Sequence, residues 1–262
     1  MTVQNISYTS FFYFFLALIP VFYIMYILKI NLIKRTGISI LRMTGQLILV
    51  GVYLQYIFKF NNDLVNMLYV FIMISLAVWT IAEDINFKEI KLYFLIFISV
   101  AFPLVLNLII FNVLVLKLDN SLDAMYLIPL TGMILGNSMN GAILTLEDFI
   151  KTFQKNKDEY LFALALGADQ KEALRPYVSS SISLSLKPSI ASMANMGVVS
   201  LPGMMTGQIL GGTIPLLAIK YQIAIMIAIF LGRFFSAYIL IKLLTVFYFN
   251  KFSLIDRRFI ES

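Results

Sequence analysis

The chain has 262 residues, 60% of them hydrophobic and 13% charged, with a mean hydropathy of +0.89 and a formal net charge of +6. A soluble domain carries about 25% charged residues, so this composition excludes a soluble globular protein and identifies a polytopic membrane protein. With no cysteine and no histidine, disulfides, Cys/His metal sites and nucleophiles activated by a Ser–His or Cys–His pair are excluded too.

The basic residues are spread through short inter-helix segments, which membrane topology explains better than a nucleic-acid partner. No Walker A sequence is present, so any ATP-driven work falls to another subunit. The first apolar run, Ser10–Leu28, lacks a basic leader and a small-residue cleavage site and reads as a retained span. Lys29, Lys34, Arg35 and Arg42 follow, and Asn31–Ile40 between them has the pattern of a short amphipathic surface helix. Ile38–Phe58 is the second span, Leu64–Ala82 the third, and Leu92–Leu116 the fourth, in which Pro103 predicts a kink. Polar turns at Asn61–Asp63 and Lys117–Asp123 alternate with the charged segment Glu83–Lys91.

The fifth span, Ala124–Leu146, places Asn137 and Asn140 one helical turn apart with Met133 and Gly141. Amides in lipid need a partner, so this face either clamps a neighbouring helix or lines a wet path. Glu147–Tyr177 is the long polar segment. Within it, LFALALGADQKEAL predicts two short helices: one ends at Gly167 in a left-handed cap, and the next starts at Asp169 with Glu172 at capping-box spacing. Leu161–Leu166 is apolar nearly all round, the pattern of a docking surface or of packing against the protein's own helix ends.

Val178–Leu201, rich in serine and interrupted by Lys187-Pro188, is expected to be a broken sixth element buried in protein or facing water. In Gly197–Gly212, the glycines Gly203, Gly207 and Gly211 recur every four residues behind Pro202. That spacing gives a helix a bare face for close packing in lipid, or a broken helix beside a transport route. Ile214–Phe249 is the last span; Arg233, near its middle, needs a carboxylate, carbonyl or water partner. Lys and Arg concentrate in the segments around residues 29–42, 83–91, 147–177 and 251–258, which are therefore placed inside, with the N-terminus outside and the C-terminus cytoplasmic. The expected fold is an all-α polytopic membrane protein of about seven transmembrane helices, with a cytoplasmic loop between spans five and six.

The segments GNSMN (Gly136–Asn140), LALGA (Leu164–Ala168) and VSLPGMMTGQILGG (Val199–Gly212) resemble the FetB-like family of iron-export ABC transporter permeases. PLLAIKYQI at Pro215–Ile223 and GQLILVGVYLQYIF at Gly45–Phe58 fit it as well, so the likeness covers most of the chain from the second span onward. The resemblance implies one permease domain over residues 1–262, forming a homodimer in membrane lipid and served by a separate cytoplasmic ABC ATP-binding subunit that holds ATP and Mg²⁺. This chain would then bind no cofactor and have no catalytic residue. Leu161–Ala168 looks like the coupling helix of such permeases, with Glu159, Leu161, Leu164, Gly167 and Ala168 as coupling residues. The fit to the import permeases' EAA loop is loose, for there is no Glu-Ala-Ala triplet.

In this picture Asn137, Asn140, Met204, Met205, Thr206 and Gln208 line the path, and Gly203, Gly207 and Gly211 pack helices. Exported iron or another metal is the implied cargo. Methionine suits softer metals than iron and is also a common core filler, so no ligand is assigned. Plant permeases of this kind have been linked to sugar nucleotides, which keeps a non-metal cargo open. Two readings from other classes stand beside it: a channel or secondary transporter without an ATPase, and an intramembrane hydrolase using a serine with Lys187.

Overall fold

The computed structural model describes residues 7–85 and 89–249. Its regular elements are all helices: α1 (Tyr8–Leu16), α2 (Ile19–Ile27), α3 (Ile33–Phe60), α4 (Asp63–Asp84), α5 (Ile90–Ile109), α6 (Ala124–Lys155), α7 (Lys157–Ala165), α8 (Gln170–Asn195), α9 (Gly203–Leu210) and α10 (Pro215–Phe247). The protein is thus an all-α polytopic membrane protein, with six helical stretches long and apolar enough to cross a bilayer. Residues 1–6, 86–88 and 250–262 lie outside the described residues, and with them the expectations for both termini, Lys88, Lys251, Arg257 and Arg258.

Several predicted boundaries move, each for a local reason. The first span is divided into α1 and α2, because Pro20 lacks an N–H and its ring crowds the carbonyl of Leu16, the last residue of α1. The predicted surface helix Asn31–Ile40 is not separate; from Ile33 onward it forms the first turns of the 28-residue α3. Helix α5 continues through Pro103, and its irregular part lies further on, where Ile110–Val115 is π-helical and Leu116 N–H reaches the Phe111 carbonyl at 2.9 Å.

The core lies where α6 packs on α4, α8 and α10, and where α10 also meets α5. Apolar residues recurring at helical spacing along α6, including Leu127, Ile134, Ala142, Leu146, Phe149 and Phe153, are buried there. Helices α1 to α3 stand at the periphery, with none of their apolar windows buried inside the chain. Their exposed Phe, Leu and Ile side chains suit a hydrocarbon solvent rather than water.

Side-chain bonds sort the loops into two ends. At one end, Arg35 pairs with Asp84 at 2.9 Å, Lys91 Nζ donates to the Phe247 carbonyl at 3.1 Å, and Gln170 Nε2 to that of Thr245 at 3.3 Å. At the other, the Asn66 amide donates to the Leu122 carbonyl at 2.8 Å and to Asn61 Oδ1 at 3.1 Å, while Asn61 Oδ1 also accepts from Ala124 N–H at 2.9 Å. The described basic segments around residues 29–42, 83–91 and 147–177 therefore share an end. Asn66 is fully buried there. Asn66→Ala is expected to cost about 1–3 kcal/mol, because it removes the buried amide that ties the Asn61 turn to the Leu122 carbonyl, and a thermal melt of the detergent-solubilised protein would register the loss.

Helix α6 runs toward the basic end and α10 finishes there, and α8 lies between them. Its start is tied to Thr245 near the end of α10, and its Ser189 meets Arg233 in the middle of α10. At 26 residues α8 is about 39 Å long, and it is too polar to count among the six apolar spans. It is unbroken through Lys187-Pro188; the break expected in this stretch comes later, after Asn195.

Candidate functional site

The polar segment at Glu147–Tyr177 proves to be three helix pieces. Helix α6 extends to Lys155, α7 follows after Asn156, and α8 begins at Gln170. The local signals hold. Gly167 has φ +94°, and Asp169 caps α8 by accepting from Glu172 N–H at 2.7 Å. The second helix, expected to be short, is the first part of α8.

Helix α7 is pinned from inside by Tyr160, whose ring packs on Phe153 and Phe249 at centroid distances of 5.1 and 6.0 Å. Of the predicted coupling residues, Leu161, Leu164 and Ala168 turn toward the core, and Glu159 is exposed. The apolar side chains that α7 and its turn present outward are Phe162, 65% exposed, and Leu166, 73% exposed. Neither was singled out from sequence, because an all-round apolar run carries no period that selects a face.

Residues 196–202 are irregular, with Gly197 at φ +85°, and the glycine helix starts behind Pro202 as predicted, forming the eight-residue α9. Met205 is buried and Met204 packs on the core. Thr206 Oγ1 donates to the Pro202 carbonyl at 3.0 Å, and the buried Gln208 Oε1 has no partner. The glycines do not seat a helix of this chain. A Cβ at Gly203 or Gly207 would meet nothing within 4 Å, and one at Gly211 would meet only oxygens of its own helix. Asn137 donates to the Met133 carbonyl of its own helix at 2.9 Å, and Asn140 is exposed. Neither forms a clamp to another helix of this chain. A second polar face is exposed on α8, where Ser179, Ser183 and Lys187 follow one another at helical spacing.

The bundle interior has its own polar seam. Arg233 on α10 is only 5% exposed, its Nη1 donates to Ser189 Oγ of α8 at 2.7 Å, and its Nε has no partner. Among the described residues no carboxylate pairs with it. Gly141 makes the space, since a Cβ there would lie 2.5 Å from Arg233 Cγ. One residue earlier, Gly232 brings α10 against α6, where a Cβ would lie 2.8 Å from Ile134 Cγ2 and 2.9 Å from Ser138 Oγ. The hydroxyls of Thr131, Ser138 and Ser236 are buried without partners in the same bundle. Unpaired polar groups and an uncompensated cation at this depth are costly and mark ion or substrate pathways in membrane proteins. The arrangement can present donors to a cargo; it contains no nucleophile–base pair at Lys187, which is exposed and bonded to no serine. Among the described residues no group of three His, Cys, Asp or Glu side chains could hold a metal ion.

A family model described as an uncharacterised protein family, UPF0014, matches residues 8–249. A UPF0014 membrane protein of Synechocystis sp. is 36% identical over 206 residues, covering 79% of this chain and 80% of the relative. The Escherichia coli protein named "Probable iron export permease protein FetB" is 32% identical over 197 residues, covering 75% and 74%. The Arabidopsis thaliana protein ALUMINUM SENSITIVE 3 is 32% identical over 188 residues, covering 72% and 67%. No solved structure matches this chain.

Proposed function

Because the chain belongs to the UPF0014 family of membrane proteins, whose members include a relative named as an iron export permease, we propose that it is the permease subunit of an ABC transporter. A separate cytoplasmic ATP-binding subunit drives it, holds the ATP and Mg²⁺, and supplies the catalysis. The observation that carries this reading is α7, a short helix held rigidly from within by Tyr160 that offers Phe162 and Leu166 at the basic end of the bundle. A rigid lever with an exposed apolar tip suits docking to a protein that moves. With the basic end cytoplasmic, the N-terminus lies outside and the C-terminus inside.

Two copies form the working unit. The exposed polar faces of α6 and α8 and the bare glycines of α9 are poor surfaces to leave against lipid, and a second copy or a water-filled path between copies satisfies them. The cargo is iron or another metal ion, exported as the name of the Escherichia coli relative indicates for that protein. Arg233 favours a second reading: a buried cation with no carboxylate partner suits a cargo with an anionic group, such as a sugar nucleotide.

Purification from native membranes followed by an ATPase assay tests the assignment. The wild-type chain is expected to bring down an ATP-binding subunit, and the double variant Phe162→Asp, Leu166→Asp to lose it by tenfold or more while remaining folded. Leu164→Asp, with its side chain turned to the core, is expected to unsettle the fold itself. Transport that persists with no ATPase present would replace this reading with a channel or secondary transporter.

A further inference from the structure

A second feature of the basic end has no part in the coupling described above. Between the first turns of α8 and the last turns of α10 lies a cleft of about 630 Å³. Three cations line it from two helices: Lys171 and Arg175 from α8, and Lys242 from α10. All three are exposed and none is in an ion pair among the described residues. The acidic residues of the same turn, Asp169 and Glu172, do not line it, and Asp169 is engaged in capping α8. Lys242 Nζ is held 6.0 Å from the Tyr238 ring centroid, and Gln170 ties the rim together through its bond to the Thr245 carbonyl. Beside the cations the wall is apolar, with Leu174 and Ile241, and one turn further from the basic end it continues along Val178 and the exposed Tyr238.

We propose that this cleft is a specific site for an anionic phospholipid, its headgroup phosphate held by Lys171, Arg175 and Lys242 and an acyl chain lying along the apolar wall. The charge requires an anion. The apolar wall, continuous with the lipid-facing side of a spanning helix, selects one that carries hydrocarbon, since a free phosphate gains nothing from Val178 or Ile241. Basic pockets between transmembrane helices at a membrane boundary hold phospholipid headgroups for this reason. A lipid seated here joins α8 to α10 immediately after the turn that carries α7.

Native mass spectrometry of the full chain in detergent tests the site with three probes: phosphatidylglycerol, phosphatidylcholine of the same chains, and inorganic phosphate. Phosphatidylglycerol should be retained at collision energies that strip phosphatidylcholine. Lys171→Gln, Arg175→Gln, Lys242→Gln together should lower its retention by roughly 100-fold, the scale set by three basic side chains at an anionic surface. A matched control, Lys29→Gln, Lys34→Gln, Arg42→Gln, removes the same charge elsewhere and should leave retention unchanged. If the triple variant does not fold, the exposed Lys242→Gln alone should still lower retention severalfold. Equal retention of the two lipids, equal loss in the control, or displacement of the lipid by inorganic phosphate would overturn the proposal. So would a triple variant that keeps the lipid but loses an ATP-binding subunit, which would give the cleft to a protein partner.

Discussion

Gly232→Ala is expected to destabilise the protein by about 1–3 kcal/mol, an overpacking cost, and to lower its melting temperature in detergent. The added methyl would sit 2.8 Å from Ile134 Cγ2, a branched and fully buried side chain with no room to turn. It would also press on Ser138 Oγ at 2.9 Å. Relief requires α6 and α10 to separate, and this contact is at the centre of the core. Gly141→Ala should behave alike, because its clash falls on Arg233 Cγ, close to that residue's own backbone. Gly207→Ala is the internal control: nothing lies within 4 Å, so the melting temperature of the isolated chain should hold or rise slightly. A larger side chain at the control position separates a structural seam from a subunit contact: if two copies meet on α9, Gly207→Leu weakens the dimer while leaving each chain folded.

Arg233→Met is expected to reduce transport by about 100-fold or more while leaving the fold intact or more stable. A buried cation with a single hydroxyl partner contributes little to folding, and replacing it with an apolar side chain of similar volume removes a desolvation penalty. On the proposed anionic-cargo reading, transport depends on the opposite property, a fixed charge in the bundle interior. The two readouts therefore diverge, and a residue that served only packing would lose both together. Ser189→Ala tests the partner: it keeps the charge but removes its acceptor, so stability should fall by about 1–3 kcal/mol. Reconstituted vesicles supplied with the partner ATPase, a metal ion and a sugar nucleotide in separate assays would show which cargo fails in Arg233→Met. Loss of sugar-nucleotide uptake alone would favour the anionic cargo.

Much of this was legible before any fold was known, and the legible parts share a cause. Helix caps are short-range: Asp169 with Glu172 and the left-handed Gly167 are set by residues within one turn of each other, and both appear in the structure as expected. The grouping of loops into two ends was also readable, because lysine and arginine report which water phase a segment lies in. Continuity of helices was less so. Serines and Pro188 argued for a broken sixth element, yet α8 is continuous through Pro188, packed against both α6 and α10. The polar segment Glu147–Tyr177 is more helical than its composition suggests for a similar reason, as Phe153, Tyr160, Tyr177 and Phe249 draw α6, α7, α8 and the residues after α10 into one aromatic cluster.

The sequence by itself determined that this is an all-α membrane protein with no thiol or imidazole chemistry, that its basic segments around residues 29–42, 83–91 and 147–177 share one end, and where its sharpest turns fall. Composition and one-turn spacing suffice for those, since bilayer solvation and backbone caps act locally. Only the tertiary structure decided that Phe162 and Leu166, rather than Leu161 and Leu164, face outward. It likewise decided that the glycine face of α9 meets no helix of its own chain, and that Gly141 opens the space in which Arg233 stands. Those outcomes depend on which helix lies beside which, and an apolar run with no polar face leaves that choice to packing between residues distant in the chain.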